Sequence, residues 1–186
     1  TLCLWVGAIV LNALLSTKAK NIDFACTPWE EFVGKYLLFV SAALLQGLLA
    51  ALGDIFLLGI EMKDPVLFVQ LSMLYSLVFS MIVYVLVSLL RNVGKALAVF
   101  LLVIQIGGSG GTFPVEVTPA FFQAIHPFLP FSYGVNGMRQ AVFGVTFATL
   151  KTDIHMMLIF FVLFALIGFF CKAPANRWLD PFTQKL

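Results

Sequence analysis

The chain has 186 residues, of which 61% are hydrophobic and 11% charged, with a net charge of +2. Soluble domains carry roughly 25% charged residues, so a mean hydropathy of +1.03 excludes a soluble fold: one core of this length could not hide that much apolar surface. The basic residues never cluster on one polar face, which excludes nucleic-acid binding.

Taken in order, the apolar runs predict five membrane spans at about 1–15, 36–60, 66–90, 96–113 and 154–171. A helix needs about 20 residues to cross the hydrocarbon core. The second and third runs meet this comfortably, and the fourth and fifth sit at the short end. Backbone facing lipid must be satisfied within its own segment, so the expected fold is an all-α integral membrane protein. It would be a bundle of five transmembrane helices plus two short helices on its outer face, all within one transmembrane domain of 1–186. The chain opens at Thr1 inside an apolar run, which predicts a piece of a longer protein. Residues 1–15 do not read as a signal peptide, because Lys18 and Lys20 follow the apolar run instead of preceding it.

Charge sets the expected orientation. With the loop 16–35 inside, the cytoplasmic side holds eight cations (Lys18, Lys20, Lys35, Arg91, Lys95, Lys172, Arg177 and Lys185) against three outside, Lys63, Arg139 and Lys151. Excess Lys and Arg mark cytoplasmic loops. The start of this chain is therefore expected outside the cell membrane and its C-terminus in the cytoplasm, with a further span upstream.

The inside loop contains Thr27-Pro28-Trp29-Glu30-Glu31. Thr27 suits an N-cap, Pro28 the first helical position, and Glu30 and Glu31 the positive end of a helix. The motif starts the second membrane helix, or forms a cytoplasmic elbow that lies along the membrane and touches a partner, with Trp29 anchoring it.

Within the spans, Ser72, Ser76, Ser80, Tyr84 and Ser88 recur every four residues, as do Ala43, Gly47 and Ala51 beside Gln46 and Asp54. Small residues at that spacing let helix backbones approach, and hydroxyls bond across the contact. Gln46, Asp54, Ser72, Ser76 and Ser80 are thus candidates for a packing face or for the polar wall of a path. Asp54 is the carboxylate set well inside an apolar run, and an intramembrane ionisable group is a functional hypothesis by default.

The outer broken segment, 107–150, is too interrupted for a span and too rich in Phe for a solvated loop. Gly107, Gly108, Gly110 and Gly111 surround Ser109, yet no Lys follows, so the run is not a phosphate loop; instead it lets the fourth helix unwind. Pro114 and Pro119 break the chain before a short helix at about 120–125. Pro130 opens a second that runs to about Gly144 and carries Arg139, with Glu116 as a possible partner. Gly107, Gly108, Gly110, Gly111, Pro114, Pro130 and Arg139 are the candidate outer gate. Elsewhere His126 and His155 lack ligand spacing, and Cys3, Cys26 and Cys171 show no CxxC pattern. No metal, cofactor or catalytic group is expected.

The run GGSGGTFPVEVTPAFFQAIHPFLPFSYGVNGMRQAVFG at 107–144 resembles the C-terminal membrane region of the phage infection protein (YhgE/Pip) family, and LCLWVGAIVL at 2–11 resembles the start of that region. Leu129 to Tyr133 with Met138-Arg139 is similar to a pattern of type-2 ABC exporter permeases. The resemblance implies a permease-like bundle preceded by an upstream span and a large extracellular part. The short outer helices would lie before the last span, and the Thr27–Glu31 stretch would sit where such permeases meet their ATPase. It implies a permease domain, expected to act as a homodimer and to export an amphiphile or polymer with an ATPase in trans. The other implied role is a passive membrane anchor for an extracellular part used in phage adsorption or in assembling a secretion apparatus.

Overall fold

The computed structural model describes residues 1–15 and 28–183. Seven α-helices follow in order: α1 (Leu2–Leu14), α2 (Pro28–Leu52), α3 (Pro65–Leu90), α4 (Asn92–Gly108), α5 (Ala120–Ile125), α6 (Pro130–Phe143) and α7 (Phe147–Thr183), and the described residues contain no strand. The all-helical membrane architecture is therefore the one that composition demanded. Three stretches are long and apolar enough to cross a bilayer: Phe32–Leu57, Pro65–Leu90 and Phe147–Lys172. Helices α1 and α4 are apolar but shorter, at about 20 Å and about 25 Å of rise.

The bundle is built around α3, which packs against α1, α2, α4, α6 and α7. From Leu71 to Ser88 its faces are largely enclosed, the apolar ones and the serine stripe alike. Tyr75, Val78, Phe79, Val83, Tyr84 and Val85 have no exposed surface. Asp64 starts α3 as its N-cap: its carboxylate accepts the Leu67 amide at 2.9 Å, with Pro65 next in line. The amides of Lys63 and Asp64 in turn donate to the carbonyls of Val142 and Ala141, which ties the start of α3 to the end of α6.

Trp5 of α1 is the anchor of the central layer. Its ring meets Phe79 and Phe131 edge-on at 5.4 and 5.6 Å, and its Nε1–H donates to the Ala98 carbonyl of α4 at 3.1 Å. One buried side chain thereby joins α1, α3, α4 and α6, with its polar atom satisfied inside the apolar core.

Several boundaries differ from the expected ones. The last helix begins at Phe147 and continues to Thr183, so its apolar stretch Phe147–Lys172 is longer than the expected span 154–171, and the fourth ends at Gly108 instead of 113. The fourth helix does not start after a five-residue turn. It begins at Asn92, because Arg91 alone makes the joint at φ 54 and ψ −123. The second helix starts at Pro28 and ends in a π-turn, Gly53–Leu57.

Candidate gate and polar helix face

Helix α4 ends at Gly108, and Gly110 takes a left-handed φ of 70°, a conformation that glycine adopts without a steric penalty. The chain then passes Pro114 into a single 3-10 turn, Val115–Val117. Helix α5 folds back over the end of α4. A β-carbon at Gly107 would stand 3.0 Å from the Phe122 ring, and one at Gly108 would stand 2.6 Å from Leu129. Four glycines thus do two jobs, two as contact surface and two in the turn.

Two side chains clamp this turn to the short helices. The Arg139 guanidinium, on α6, donates through Nη2 to the carbonyls of Gly110 at 2.8 Å and Gly111 at 3.3 Å. A cation at the C-terminal end of α4 also suits the helix dipole. His126 Nδ1 lies 2.6 Å from the Gly108 carbonyl. A carbonyl can only accept, so Nδ1 carries the proton. Ser132 Oγ donates to the His126 carbonyl at 2.8 Å, and the Tyr133 hydroxyl donates to the Pro127 carbonyl at 2.7 Å. Pro130 opens α6 beside them. Arg139 makes no ion pair with Glu116; the glycine carbonyls take the place of that expected partner, because the turn brings them within reach. Between the turn, His126, Asn136 and Arg139 lies a pocket of about 330 Å³. Removing the clamp with Arg139→Gln should raise amide exchange in residues 107–117 by roughly tenfold, as expected for loss of a charged hydrogen bond. Exchange in α3 should stay unchanged, and mass-spectrometric hydrogen exchange in detergent reads both.

The candidates in the spans fall into two groups. Ser72 Oγ donates to the Gly47 carbonyl at 2.8 Å and Ser76 Oγ to the Ala43 carbonyl at 2.7 Å, so both point from α3 into the backbone of α2. Gln46 reaches the other way, to the Leu4 carbonyl of α1 at 3.0 Å, and fills the space that a β-carbon on Gly7 would occupy. Ser80 is buried with no hydrogen-bond partner for its hydroxyl. Asp54 is half-buried in the π-turn that ends α2. An acidic group there opposes the negative end of the helix dipole.

At the other end of α2, Thr27 lies outside the described residues. Trp29 stacks on Phe169 of α7, ring centroids 4.0 Å apart. Glu30 is exposed and Glu31 is the next residue of the same helical turn. The elbow residues are thus joined through Trp29 to the last long helix.

Residues 2–170 match the family described as ABC-2 family transporter protein. The chain belongs to the ABC-2 transporter family. It is 33% identical over 139 residues to a Bacillus subtilis (strain 168) protein described as uncharacterized protein YhgE. That match takes in 75% of this chain but only 18% of the relative's length. No solved structure matches.

Two further polar contacts of this ABC-2 chain carry no sequence signal beyond a charge at the edge of an apolar run. Asp153 is buried and accepts from Gln140 Nε2 at 3.0 Å, while Gln140 Oε1 accepts the Thr146 amide at 3.2 Å. The pair stitches α6 to the start of α7. At the far end of the apolar stretch of α7, Lys172 is only 1% exposed and its Nζ donates to Ser88 Oγ at 2.8 Å. A residue bordering a hydrophobic stretch reads as solvated, and only packing reveals that these two are enclosed. Among the described residues no group of acidic, His and Cys side chains could hold a metal ion.

Proposed function

We propose that this chain is the membrane domain of an exporter for an amphiphile or polymer, acting as a homodimer with an ATPase supplied in trans. The clamped turn at the end of α4 carries the reading. It is a glycine hinge held by side-chain-to-carbonyl bonds, so it can open without breaking the core around Trp5. In this reading α1 and α4 also cross the membrane, giving five spans, with the hinge outside and the C-terminus in the cytoplasm. The elbow at Trp29 would be where the ATPase pushes, and its stack on Phe169 would pass the motion to α7. Family membership supports the permease role, since ABC-2 proteins are membrane components of transporters.

The test is flux. The full-length protein with its ATPase, reconstituted in vesicles, is expected to move labelled amphiphile only when ATP is present. A Cys pair locking residue 110 to residue 126 should stop that flux and reduction should restore it. Flux that ignores ATP, or that survives the lock, defeats the reading.

A second reading is a passive anchor for an extracellular part used in phage adsorption or secretion-machine assembly. It is favoured by the match to only 18% of the relative's length, which leaves most of that protein outside the bundle. Exchanging the bundle for an unrelated anchor separates the two: retained biological activity supports the anchor, and loss supports the exporter.

A further inference from the structure

The pocket at the end of α4 has a charge pattern that the gate does not explain. Arg139 and Glu116 line the same cavity of about 330 Å³, together with Ser109, Thr112, His126 and Asn136. The two opposite charges make no ion pair across it. On a soluble protein two opposite charges lining one open cavity would be unremarkable, but this cavity belongs to a membrane protein and opens beside large apolar side chains. Phe113 forms part of its wall at 67% exposed, and Val117 and Phe128 are exposed at 71% and 75%.

Arg139 is held in place by the carbonyls of Gly110 and Gly111 through Nη2 alone. A guanidinium has five N–H donors in a rigid fork, so Nε and Nη1 remain to meet an anionic oxygen while the group stays fixed. Fork geometry matches a phosphate. Glu116 supplies the complementary acceptor for a cation, and Asn136, Thr112 and Ser109 supply neutral donors and acceptors between them. The exposed phenylalanines offer a surface on which apolar chains can lie.

We infer that this pocket binds a zwitterionic phosphate-amine group, its phosphate on Arg139 and its ammonium on Glu116, as carried by the headgroup of a phosphoethanolamine amphiphile. A phosphate monoanion alone would face the Glu116 carboxylate, and an amine alone would face Arg139; a group carrying both charges satisfies both walls. The inference does not depend on transport, because a passive anchor would carry the same pocket.

Binding of short-chain phosphatidylethanolamine to the full-length protein in detergent, measured by native mass spectrometry against phosphatidylglycerol, tests it. The expected result is a preference for phosphatidylethanolamine of roughly tenfold, the scale of one charge-assisted contact. Glu116→Gln should abolish that preference while leaving phosphatidylglycerol binding in place. Arg139→Lys, which keeps the charge but not the fork, should weaken both lipids. Free phosphoethanolamine distinguishes the sources: much weaker binding assigns the site to a lipid headgroup, and equal binding assigns the same site to a soluble zwitterion. Equal affinity for the two lipids in the unaltered protein, or a preference that survives Glu116→Gln, overturns the inference. Glu116 is exposed and makes no side-chain bond in the fold, so that variant tests recognition and not folding.

Discussion

Gly94→Ala should destabilise the bundle by about 3 kcal/mol, the upper end of the range for forcing a methyl group into filled space. A β-carbon at this position would run into the Leu86 carbonyl and stand 2.9 Å from Val87 Cα. These are backbone atoms of α3, which cannot rotate aside as a side chain can. The joint offers no slack either. Arg91 alone connects the two helices, at a positive φ, and its amide is bonded to the Val87 carbonyl at 2.8 Å. Relief must come from swinging α4 away from α3. Ala98, one turn further along α4, has no exposed surface and its carbonyl receives the Trp5 indole, so the swing would release the central anchor. Thermal unfolding in detergent measures the loss. Gly34→Ala is the control, since a β-carbon there meets nothing within 4 Å. It should be neutral or stabilising by up to about 1 kcal/mol, as for glycine replaced in an open helix position. Equal melting of Gly94→Ala and the parent would show that the hairpin is not packed this tightly.

Gly47→Leu should have a comparable effect by a different route, separating α2 from α3. A β-carbon at Gly47 would stand 2.9 Å from both Met73 Cα and the Ser72 carbonyl, and 3.0 Å from Ser76 Cβ. The isobutyl group has no room, so the helices must part and both serine bonds to α2 must break with them. The removal of those two hydroxyls in a Ser72→Ala, Ser76→Ala double variant makes the instructive comparison. Interhelical hydrogen bonds in membranes are worth on average about 0.6 kcal/mol each, so the double variant should lose only about 1 kcal/mol. The larger Gly47→Leu effect would follow from packing, which in lipid has no hydrophobic effect between helices to compensate for its loss. Detergent melting reads stability, and cross-linking between α2 and α3 reads the separation. A stable Gly47→Leu protein paired with a double-serine variant that folds but fails in transport would assign the serine face to a path and not to packing.

The class of the molecule was legible before any coordinates. Apolar runs with few charges leave helices dissolved in lipid as the available solution, and the bundle is all-helical among the described residues; the ABC-2 family was legible in the resemblance carried by 107–144. Local chemistry was legible too: Pro130 opens a helix where expected, whereas the Asp64 cap and the helical start at Pro65 emerged only from the structure. The four-residue spacing of Ser72 and Ser76 places them on one helix face by geometry alone. Which helix meets that face is not a local property, and neither is the landing of the two hydroxyls on the carbonyls of Gly47 and Ala43.

The candidate site divides in the same way. The glycines at 107–111 announced a break because of what they lack, and the prolines because of what they forbid. Arg139 was visible as a lone cation, but its choice of the Gly110 and Gly111 carbonyls over Glu116 depends on how α6 folds back across the end of α4. His126 was an isolated residue in the chain and became a clamp only when the turn brought the Gly108 carbonyl to its ring. Asp153 and Lys172 looked like border charges and are enclosed.

By itself, then, the order of residues determined the solvent of this protein, its helical class and the positions where helices must stop, because hydropathy, proline geometry and glycine freedom act over one or two turns. The tertiary structure alone decided which helix is central, which carbonyls receive the buried and clamping side chains, and that Arg139 and Glu116 line the same cavity. Those are contacts between residues tens of positions apart, and they exist only after the helices pack.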